Sequence, residues 1–237
     1  MIDQKIKLIT GSLLHDIGKV VYREGSDRRN HSVSGYDFLK EEGKIEDKEI
    51  LDCVRYHHFS EIKSAHLKED NLAYIVYLAD NIAAFADRRK KEDTEEKGFD
   101  LSVPLQSVFN VLNGNNQSFY YQPGDMDDQG KINYPASEKK PFSREFYMEI
   151  CQRMLDNFRG MNWSEEYLNS LLAVMEANLS YMPSSTSNEE LSDISLFDHV
   201  KLTAAISSCI YDYLNENHLS YKTELFDKKD FYDRNAF

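Results

Sequence analysis

Apolar residues recur every three or four positions through most of the first ninety residues, which is the spacing of one buried face of an α-helix. This pattern predicts helices over 3–21 and 47–58, a short helix that begins at His31 and ends near Gly43, and a long helix over 71–90. Polar connectors separate these segments. Amphipathic helices with short connections pack side by side, so we expect this part of the chain to form an all-helical bundle.

The pattern changes between residues 92 and 142. The segment opens with a charged stretch that we expect to be a loop, and helical periodicity then fades. From about 105 to 135, clusters of Asn, Asp, Gly and Pro alternate with short runs over 107–112, 118–121 and 131–134. Turn-forming residues between such runs are typical of hairpins, so the sequence predicts a small antiparallel β insertion here.

Helical periodicity returns in the last part of the chain. It predicts helices over 143–159, 164–179 and 196–217. Ser195 is well placed to cap the last of these helices, with Asp198 in the position that the acidic residue of a capping box occupies. Because helices are predicted on both sides of the β insertion, the expected fold class is mainly α.

The composition bounds the size and the compartment of the protein. A chain of 237 residues with 41% apolar and 29% charged residues is typical of one large globular domain with a small appendage. Neither an apolar run long enough to cross a bilayer nor a signal peptide is recognisable. The three cysteines, Cys53, Cys151 and Cys209, are far apart and odd in number, which favours free thiols. We therefore expect a cytoplasmic protein without a membrane partner.

The charge balance narrows the functions that the chain can have. Its formal net charge is −13 at pH 7, whereas independent high-affinity nucleic-acid binders usually present a basic surface. Nucleic acid is not excluded as a substrate, because a metal centre with a local basic patch attracts phosphate on an otherwise acidic protein. We therefore expect weak DNA binding that weakens further with added salt.

The first candidate functional residues are His15 and Asp16, an imidazole and a carboxylate that are adjacent at the end of an apolar helical stretch. Adjacent side chains leave a helix about 100° apart, so both reach one ion only if it lies over the helix edge. Such a pair suits Mn²⁺, Mg²⁺, Co²⁺ or Ni²⁺ better than a closed thiolate zinc site. Further candidate ligands stand on predicted helices or at their edges: His31, His57, His58, Asp80 and His199.

These residues resemble the pattern of the HD-domain phosphohydrolase superfamily, which has a His-Asp pair, further histidines and an aspartate on a later helix. A His-Asp pair alone is a weak signal, since the dipeptide occurs by chance. In ordinary HD proteins the first histidine lies upstream of the pair, but none of the fourteen residues before His15 is a histidine. His199 is the obvious substitute, because the segment from Asp193 to Ala205 looks like the first HD helix moved to the other end of the chain.

That circular permutation is similar to one family in particular, the large signature subunit of type III CRISPR effector complexes, especially type III-A (Csm). The resemblance implies a permuted HD nuclease domain over 1–219, made of core HD helices over 1–90, a loop and β insertion over 92–142, and returning helices over 143–219. Residues 220–237 would then be a linker towards a palm domain. The Gly-Gly-Asp-Asp motif of the family's cyclic oligoadenylate synthesis is absent.

The resemblance also implies an activity, which is metal-dependent hydrolysis of phosphodiester bonds in single-stranded DNA. In the family this activity is switched on when the complex, guided by its CRISPR RNA, binds target RNA. One or two divalent ions are expected. A first ion would be held by four residues (His15, Asp16, Asp80 and His199), and Asp16 would bridge to a second ion held by three more (His31, His57 and His58). Lys19 would contact substrate phosphate or an acidic neighbour.

Two other functions remain open from the sequence. The same metal chemistry serves nucleotide or cyclic-dinucleotide phosphohydrolases, although His199 and the middle insertion count against that class. A non-catalytic scaffold domain would also keep the ligand residues.

Asp193 and Asp198 are candidates for orienting an imidazole, as metal sites usually require. His66 and His218 lie in polar surroundings and are expected to face solvent.

Overall fold

The computed structural model describes residues 3–87, 89–91, 97–114, 117–124, 133–161 and 167–228. Within these residues the helices are α1 (Gln4–Leu14), α2 (Gly18–Glu24), α3 (His31–Asp37), α4 (Lys48–Arg55), α5 (Phe59–Ser64), α6 (Ala73–Asp87), α7 (Phe109–Leu112), α8 (Arg144–Gly160), α9 (Tyr167–Leu179) and α10 (Leu196–Glu216). Two π-helical turns, Phe38–Glu42 and Thr223–Asp227, follow α3 and α10. The fold is mainly α, as the sequence predicts.

Helix α10 is the centre of the bundle although it comes last among the helices. It packs against both α1 and α6, and α1 packs in turn against α4. Asp3 caps α1 and Ser195 caps α10, where the Ser195 hydroxyl accepts a hydrogen bond from the Asp198 N–H at 3.0 Å. The predicted capping position is therefore confirmed. This packing brings α10 against α6, which carries Asp80, and against the end of α1, which His15 follows.

Two apolar cores flank these central helices. The larger core joins α1, α2 and α4 to α8 and α9, and its fully buried side chains include Leu14, Ile150 and Leu171. The smaller core lies around α6, with Ile75 and Leu78 fully or almost fully buried. Because both cores share the central helices, the ends of α1, α6 and α10 are held in a defined relation to one another.

The helix predicted over 3–21 is divided in two, and the division falls at the His-Asp pair. Helix α1 ends at Leu14 and α2 begins at Gly18. A Cβ atom on Gly18 would lie 1.8 Å from the His31 carbonyl oxygen and 2.7 Å from the Gly35 N–H nitrogen. The glycine therefore lets the backbone of α2 touch that of α3. This contact brings His31 close to Asp16.

The small antiparallel insertion predicted around 105–135 is not confirmed. The strand predicted over 107–112 is wrong, because the helical turn α7 occupies it. In the described residues of this region, Tyr120 forms isolated antiparallel bridges with Gln106 and Ala136, and these do not extend into strands. Residues 131 and 132 of the third predicted strand lie outside the described part of the chain.

Side-chain hydrogen bonds explain why residues 107–112 turn instead of extending. The Ser107 hydroxyl accepts from the Phe109 N–H, which starts the helical turn. Asn110 then pairs with the backbone of Phe119 through both of its side-chain groups, at 2.9 Å and 3.1 Å. Such side-chain bonds compete with strand pairing for the backbone, and apolar periodicity does not register them.

Two other segments differ from the expected connectors. The polar stretch after His58 contains α5, whose Ile62 is buried. Residues 220–228, which the sequence assigns to a linker, pack against the smaller core, with Leu225 buried and the Lys222 N–H bonded to the Glu69 carbonyl. The domain boundary after residue 219 stays a prediction, and residues 229–237 lie outside the described part. No helix in the described part is long and apolar enough to cross a membrane.

Candidate metal centre

Four of the predicted ligands meet where α1, α6 and α10 converge. His15 and Asp16 follow the end of α1, Asp80 lies on α6, and His199 lies in the first turn of α10. The His199 Nε2 atom is 3.3 Å from Asp16 Oδ2 and 3.1 Å from Asp80 Oδ1. The His15 Nε2 atom is 3.4 Å from Asp80 Oδ1. One ligand atom from each residue lies within 4.8 Å of all the others, so this first set could surround a single ion.

Three histidines form a second set beside the first. His31 begins α3, and His57 and His58 stand between α4 and α5. The Nε2 atom of His31 is 3.2 Å from that of His57 and 2.8 Å from that of His58. In this second set too, one ligand atom from each residue lies within 4.8 Å of the others. All seven predicted ligands are thus brought together, in the two groups that the sequence predicts.

Asp16 joins the two sets through its two carboxylate oxygens. Its Oδ1 atom is 3.1 Å from His31 Nε2, while its Oδ2 atom faces His199 Nε2. Lys19 lies one helical turn further along, with its Nζ atom 2.5 Å from Asp16 Oδ2. Of the two roles predicted for Lys19, the structure shows contact with an acidic neighbour. A carboxylate in this position can bridge two adjacent cations.

The imidazoles are oriented by hydrogen bonds to their Nδ1 atoms. The Nδ1–H groups of His15 and His57 can donate to the carbonyl oxygens of Ser12 and Val54, each at 2.7 Å. His199 Nδ1 is 2.8 Å from Asp87 Oδ2. A proton on Nδ1 leaves the lone pair on Nε2, and in all three residues Nε2 faces the site. This arrangement is the one that histidine ligands of metals usually adopt.

Asp87 is the functional residue that sequence reasoning missed. The two aspartates suggested for this orienting role, Asp193 and Asp198, serve elsewhere: Asp193 pairs with Arg89 at 2.8 Å, and Asp198 accepts from the Ser195 hydroxyl at 2.7 Å. A signal was present, since Asp87 follows Asp80 by seven residues and therefore lies on the same face of α6 two turns later. His66 and His218 lie in neither set and are exposed.

The carboxylates of the first set are held ionised despite their burial. Burial alone would raise the pKa of Asp16, but Lys19 and the neighbouring histidines hold it well below the usual value. Asp80 behaves in the same way: burial would raise its pKa, but the imidazoles of His15 and His199 beside its carboxylate hold that pKa well below the usual value. Two buried, ionised carboxylates side by side require positive charge between them.

His199 differs in protonation from His57 and His58. Burial and the neighbouring histidines hold the pKa of His57 well below the usual value and lower that of His58 to about 4, so both are neutral ligands at pH 7. Burial would also lower the pKa of His199, but hydrogen bonds to Asp16, Asp80 and Asp87 raise it to about 10. An ion entering the first set would therefore displace a proton from His199, whereas His57 and His58 have none to lose.

The donor set fits a divalent cation. Its atoms are imidazole nitrogens and carboxylate oxygens, with no thiolate among them, which suits borderline and hard cations. His15 Nε2 is buried and makes no hydrogen bond within the described part of the chain, as expected of an atom that coordinates a metal. The residues can therefore hold a metal ion.

The raised pKa of His199 predicts how the metal-free protein responds to pH. A group whose pKa is higher in the folded state stabilises the fold fully below its unfolded value of about 6.5, and this stabilisation is lost as pH rises through about 10. In EDTA, the Tm advantage of the unmodified protein over His199→Gln should therefore shrink between pH 6.5 and 10. Thermal melts across this range measure it. His218→Gln is the exposed control, and a Tm difference for His199→Gln that is constant with pH would contradict the assignment.

Comparison with known proteins places this site in a class. The HD domain family model matches residues 1–84, which include six of the seven ligand candidates. His199 lies outside that match and reaches the site from α10, in keeping with a permuted arrangement. The fold and the site thus define an HD domain whose helical bundle is completed by the last long helix of the chain.

The relatives identify the particular family. The chain is 39% identical over 249 residues to the CRISPR system single-strand-specific deoxyribonuclease Cas10/Csm1 (subtype III-A) of Enterococcus italicus, with 99% of this chain and 33% of that protein covered. The crystal structure of Csm1 in T. onnurineus matches 88% of this chain and 29% of that one, with a TM-score of 0.65 and 26% identity. A Csm1–Csm4 cassette in complex with cA4 matches 87% and 28%, with a TM-score of 0.63 and 25% identity.

Over nearly its whole length the chain is therefore homologous to part of the Cas10/Csm1 proteins of subtype III-A CRISPR systems, and its residues 1–84 match the HD domain family. It spans about a third of the length of the curated relatives that it matches.

Proposed function

We propose that this chain is a metal-dependent nuclease that hydrolyses phosphodiester bonds in single-stranded DNA. The observation that carries the proposal is that Asp16 is shared by two groups of cation ligands, one at each carboxylate oxygen. Paired ions, about 3.5–4 Å apart, are a common device for stabilising the attacking and the leaving oxygen in phosphodiester cleavage. The description of the relative from Enterococcus italicus as a single-strand-specific deoxyribonuclease supports the same substrate class.

The proposed ligands divide between two positions. His15, Asp16, Asp80 and His199 would hold one ion. His31, His57 and His58 would hold a second, with Asp16 as the bridge. Mn²⁺, Mg²⁺, Co²⁺ and Ni²⁺ are the candidates, because they accept mixed nitrogen and oxygen ligands.

A bound divalent ion would supply Lewis-acid chemistry, lowering the pKa of water and balancing charge on the phosphate. The chain's own residues prepare the site for this chemistry. The Asp87 carboxylate keeps a proton on His199 Nδ1 and so directs Nε2 inwards. Lys19 neutralises Asp16 in the metal-free chain and lines the cleft that leads to the site. We propose that Lys19 donates to a phosphate oxygen once cations neutralise Asp16.

We further propose that the domain acts in the cytoplasm within an RNA-guided effector complex, and that target RNA bound to the guide RNA of that complex controls it. The subtype III-A relatives and the Csm1–Csm4 cassette support this assignment. Residues 1–219 are proposed as the nuclease domain, with 220–228 packed against it. No membrane partner is proposed.

The test is cleavage of a labelled single-stranded DNA oligonucleotide by the chain with each of the four ions. We expect metal-dependent cutting that His15→Ala abolishes, because His15 Nε2 faces Asp80 inside the first set. His66→Ala is the matched control: it also removes an imidazole, but an exposed one outside both sets, and should cut like the unmodified chain.

The other outcomes point to different functions. Release of inorganic phosphate or a mononucleotide from nucleotides, without cutting of DNA, would indicate a nucleotide phosphohydrolase. Metal binding without turnover, even inside an assembled complex, would indicate a scaffold. Equal loss of cutting in His15→Ala and His66→Ala would show that the activity does not come from this site.

A further inference from the structure

A cleft of about 460 Å³ opens above the metal centre. Its floor includes His31 and His199, one residue from each ligand set. The loop between α2 and α3 also lines it, as do Phe99, Leu101 and residues 184–186. A molecule lying in this cleft would therefore pass directly over both proposed ion positions.

Basic side chains gather at the cleft although the chain as a whole is strongly acidic. Four of its lining residues are Lys or Arg and one is an aspartate, whereas the whole chain carries a net charge of −13. Two of these four cations are already paired with carboxylates, Lys19 with Asp16 and Arg29 with Asp27 and Asp37. A cation without a carboxylate partner next to a metal centre attracts anionic ligands.

Two of the arginines at the cleft differ in what they bind. Arg23 is buried, and its guanidinium donates to the Pro183 carbonyl at 2.8 Å, so it holds the adjoining part of the cleft lining in place. Arg28 is exposed and forms no ion pair with any residue in the described part of the chain. Its guanidinium therefore keeps its donors available for a phosphate.

The cleft lining also presents an aromatic ring to solvent. Phe99 lines the cleft and is 74% exposed, so its ring is open to a ligand. Its backbone is held in place, since Phe99 forms an antiparallel bridge with Ser187, and the Asp100 N–H donates to the Thr186 carbonyl at 2.9 Å. An exposed ring on a fixed backbone offers a flat surface on which a base can stack.

We propose that this cleft is the binding track for the DNA strand, with a phosphate held by Arg28 and an unpaired base stacked on Phe99. The inference rests on the proposed nuclease function and adds the residues that select the strand. A base can cover Phe99 only if it is not already stacked and paired in a duplex. The Phe99 ring therefore favours single-stranded DNA. The Arg28 guanidinium fixes which phosphate of the strand lies over the metal centre.

Binding measured without cleavage tests this proposal separately from the nuclease activity. Fluorescence anisotropy of a labelled oligonucleotide is recorded in EDTA at low salt and then at increasing salt. Phe99→Ala should weaken binding at least about fivefold, and Phe99→Trp should restore it. Arg28→Ala should weaken binding and reduce the slope of log affinity against log salt by about 0.7, the value for one phosphate contact on a single strand. A duplex of the same sequence should bind more weakly than the single strand.

Arg159→Ala is the matched control, since it removes an exposed arginine of α8 that does not line the cleft. It should leave both the affinity and the slope unchanged. Equal binding by Phe99→Ala, Arg28→Ala and the unmodified chain would overturn the proposal, and so would the absence of measurable binding by the unmodified chain. If the cleft variants lose binding while the unmodified chain cuts no DNA, the cleft assignment stands and the proposed nuclease function fails.

Discussion

An Asp16→Asn variant should lose metal-dependent cleavage almost completely, with a fall of more than about 100-fold. Loss of a group that only supports a ligand costs 10- to 100-fold in metal affinity or activity, and Asp16 faces both ligand sets directly. The amide keeps the shape of the side chain but removes the negative charge and one of the two acceptor oxygens. We therefore expect weaker binding at both ion positions, whereas a change at His58 should affect only the second.

Isothermal titration with Mn²⁺ measures this loss directly, and the metal-induced rise in Tm gives an independent reading. Asp52→Asn is the control, because Asp52 is also a buried carboxylate but pairs with Lys48 and Asn71, away from the site. It should change stability without changing metal affinity. Melts in EDTA show whether Asp16→Asn folds, since Lys19 loses its partner there. Unchanged metal affinity in a folded Asp16→Asn variant would exclude Asp16 as a ligand.

A Gly18→Ala variant should be destabilised by about 3 kcal/mol, at the upper end of the cost of overpacking a core. The added methyl group would lie 1.8 Å from the His31 carbonyl, and it meets backbone atoms that no side-chain rotation can move away. For a chain of this length the cost corresponds to a fall in Tm of roughly 6–12 °C. Because α2 and α3 must separate, His31 should also move away from Asp16, and metal affinity should fall with stability.

Gly98→Ala separates this clash from the general cost of replacing a glycine. Gly98 has a φ of 108°, which strains an alanine, but an added Cβ meets nothing within 4 Å. It should cost less than Gly18→Ala and leave metal affinity unchanged. Thermal melts with and without Mn²⁺ measure both effects. Equal destabilisation by the two substitutions would show that the contact between α2 and α3 is not as tight as described.

Local pattern was sufficient to predict most of the helices and the composition of the site. The apolar stripes of α6, α8 and α10 are long and regular, and Ser195 marks the start of α10 by a cap that needs no tertiary partner. The candidate ligand residues were predictable from their chemistry and not from helical periodicity. Metal chemistry restricts the choice to histidines and carboxylates, and the order in which these occur resembles the HD pattern.

The sequence-based predictions are wrong or incomplete where a contact with a distant part of the chain overrides the local preference for a helix or a strand. Periodicity continues through residues 15–17, so it predicts one helix where the contact of Gly18 with α3 requires two. Asn110 pairs with Phe119 and turns a segment whose composition suits a strand. Asp87 looks like one of many carboxylates until α10 places His199 against it.

The sequence by itself determined the helical class, the ligand types and the dependence of the site on a residue near the other end of the chain. The tertiary structure alone decided that Asp16 faces both ligand sets, that Asp87 orients His199, and that Arg28 and Phe99 line one cleft. The physical reason is the separation along the chain between the residues that interact. Helix formation and ligand chemistry are properties of neighbouring residues, whereas the distances within the site depend on how α1, α6 and α10 pack around their shared cores.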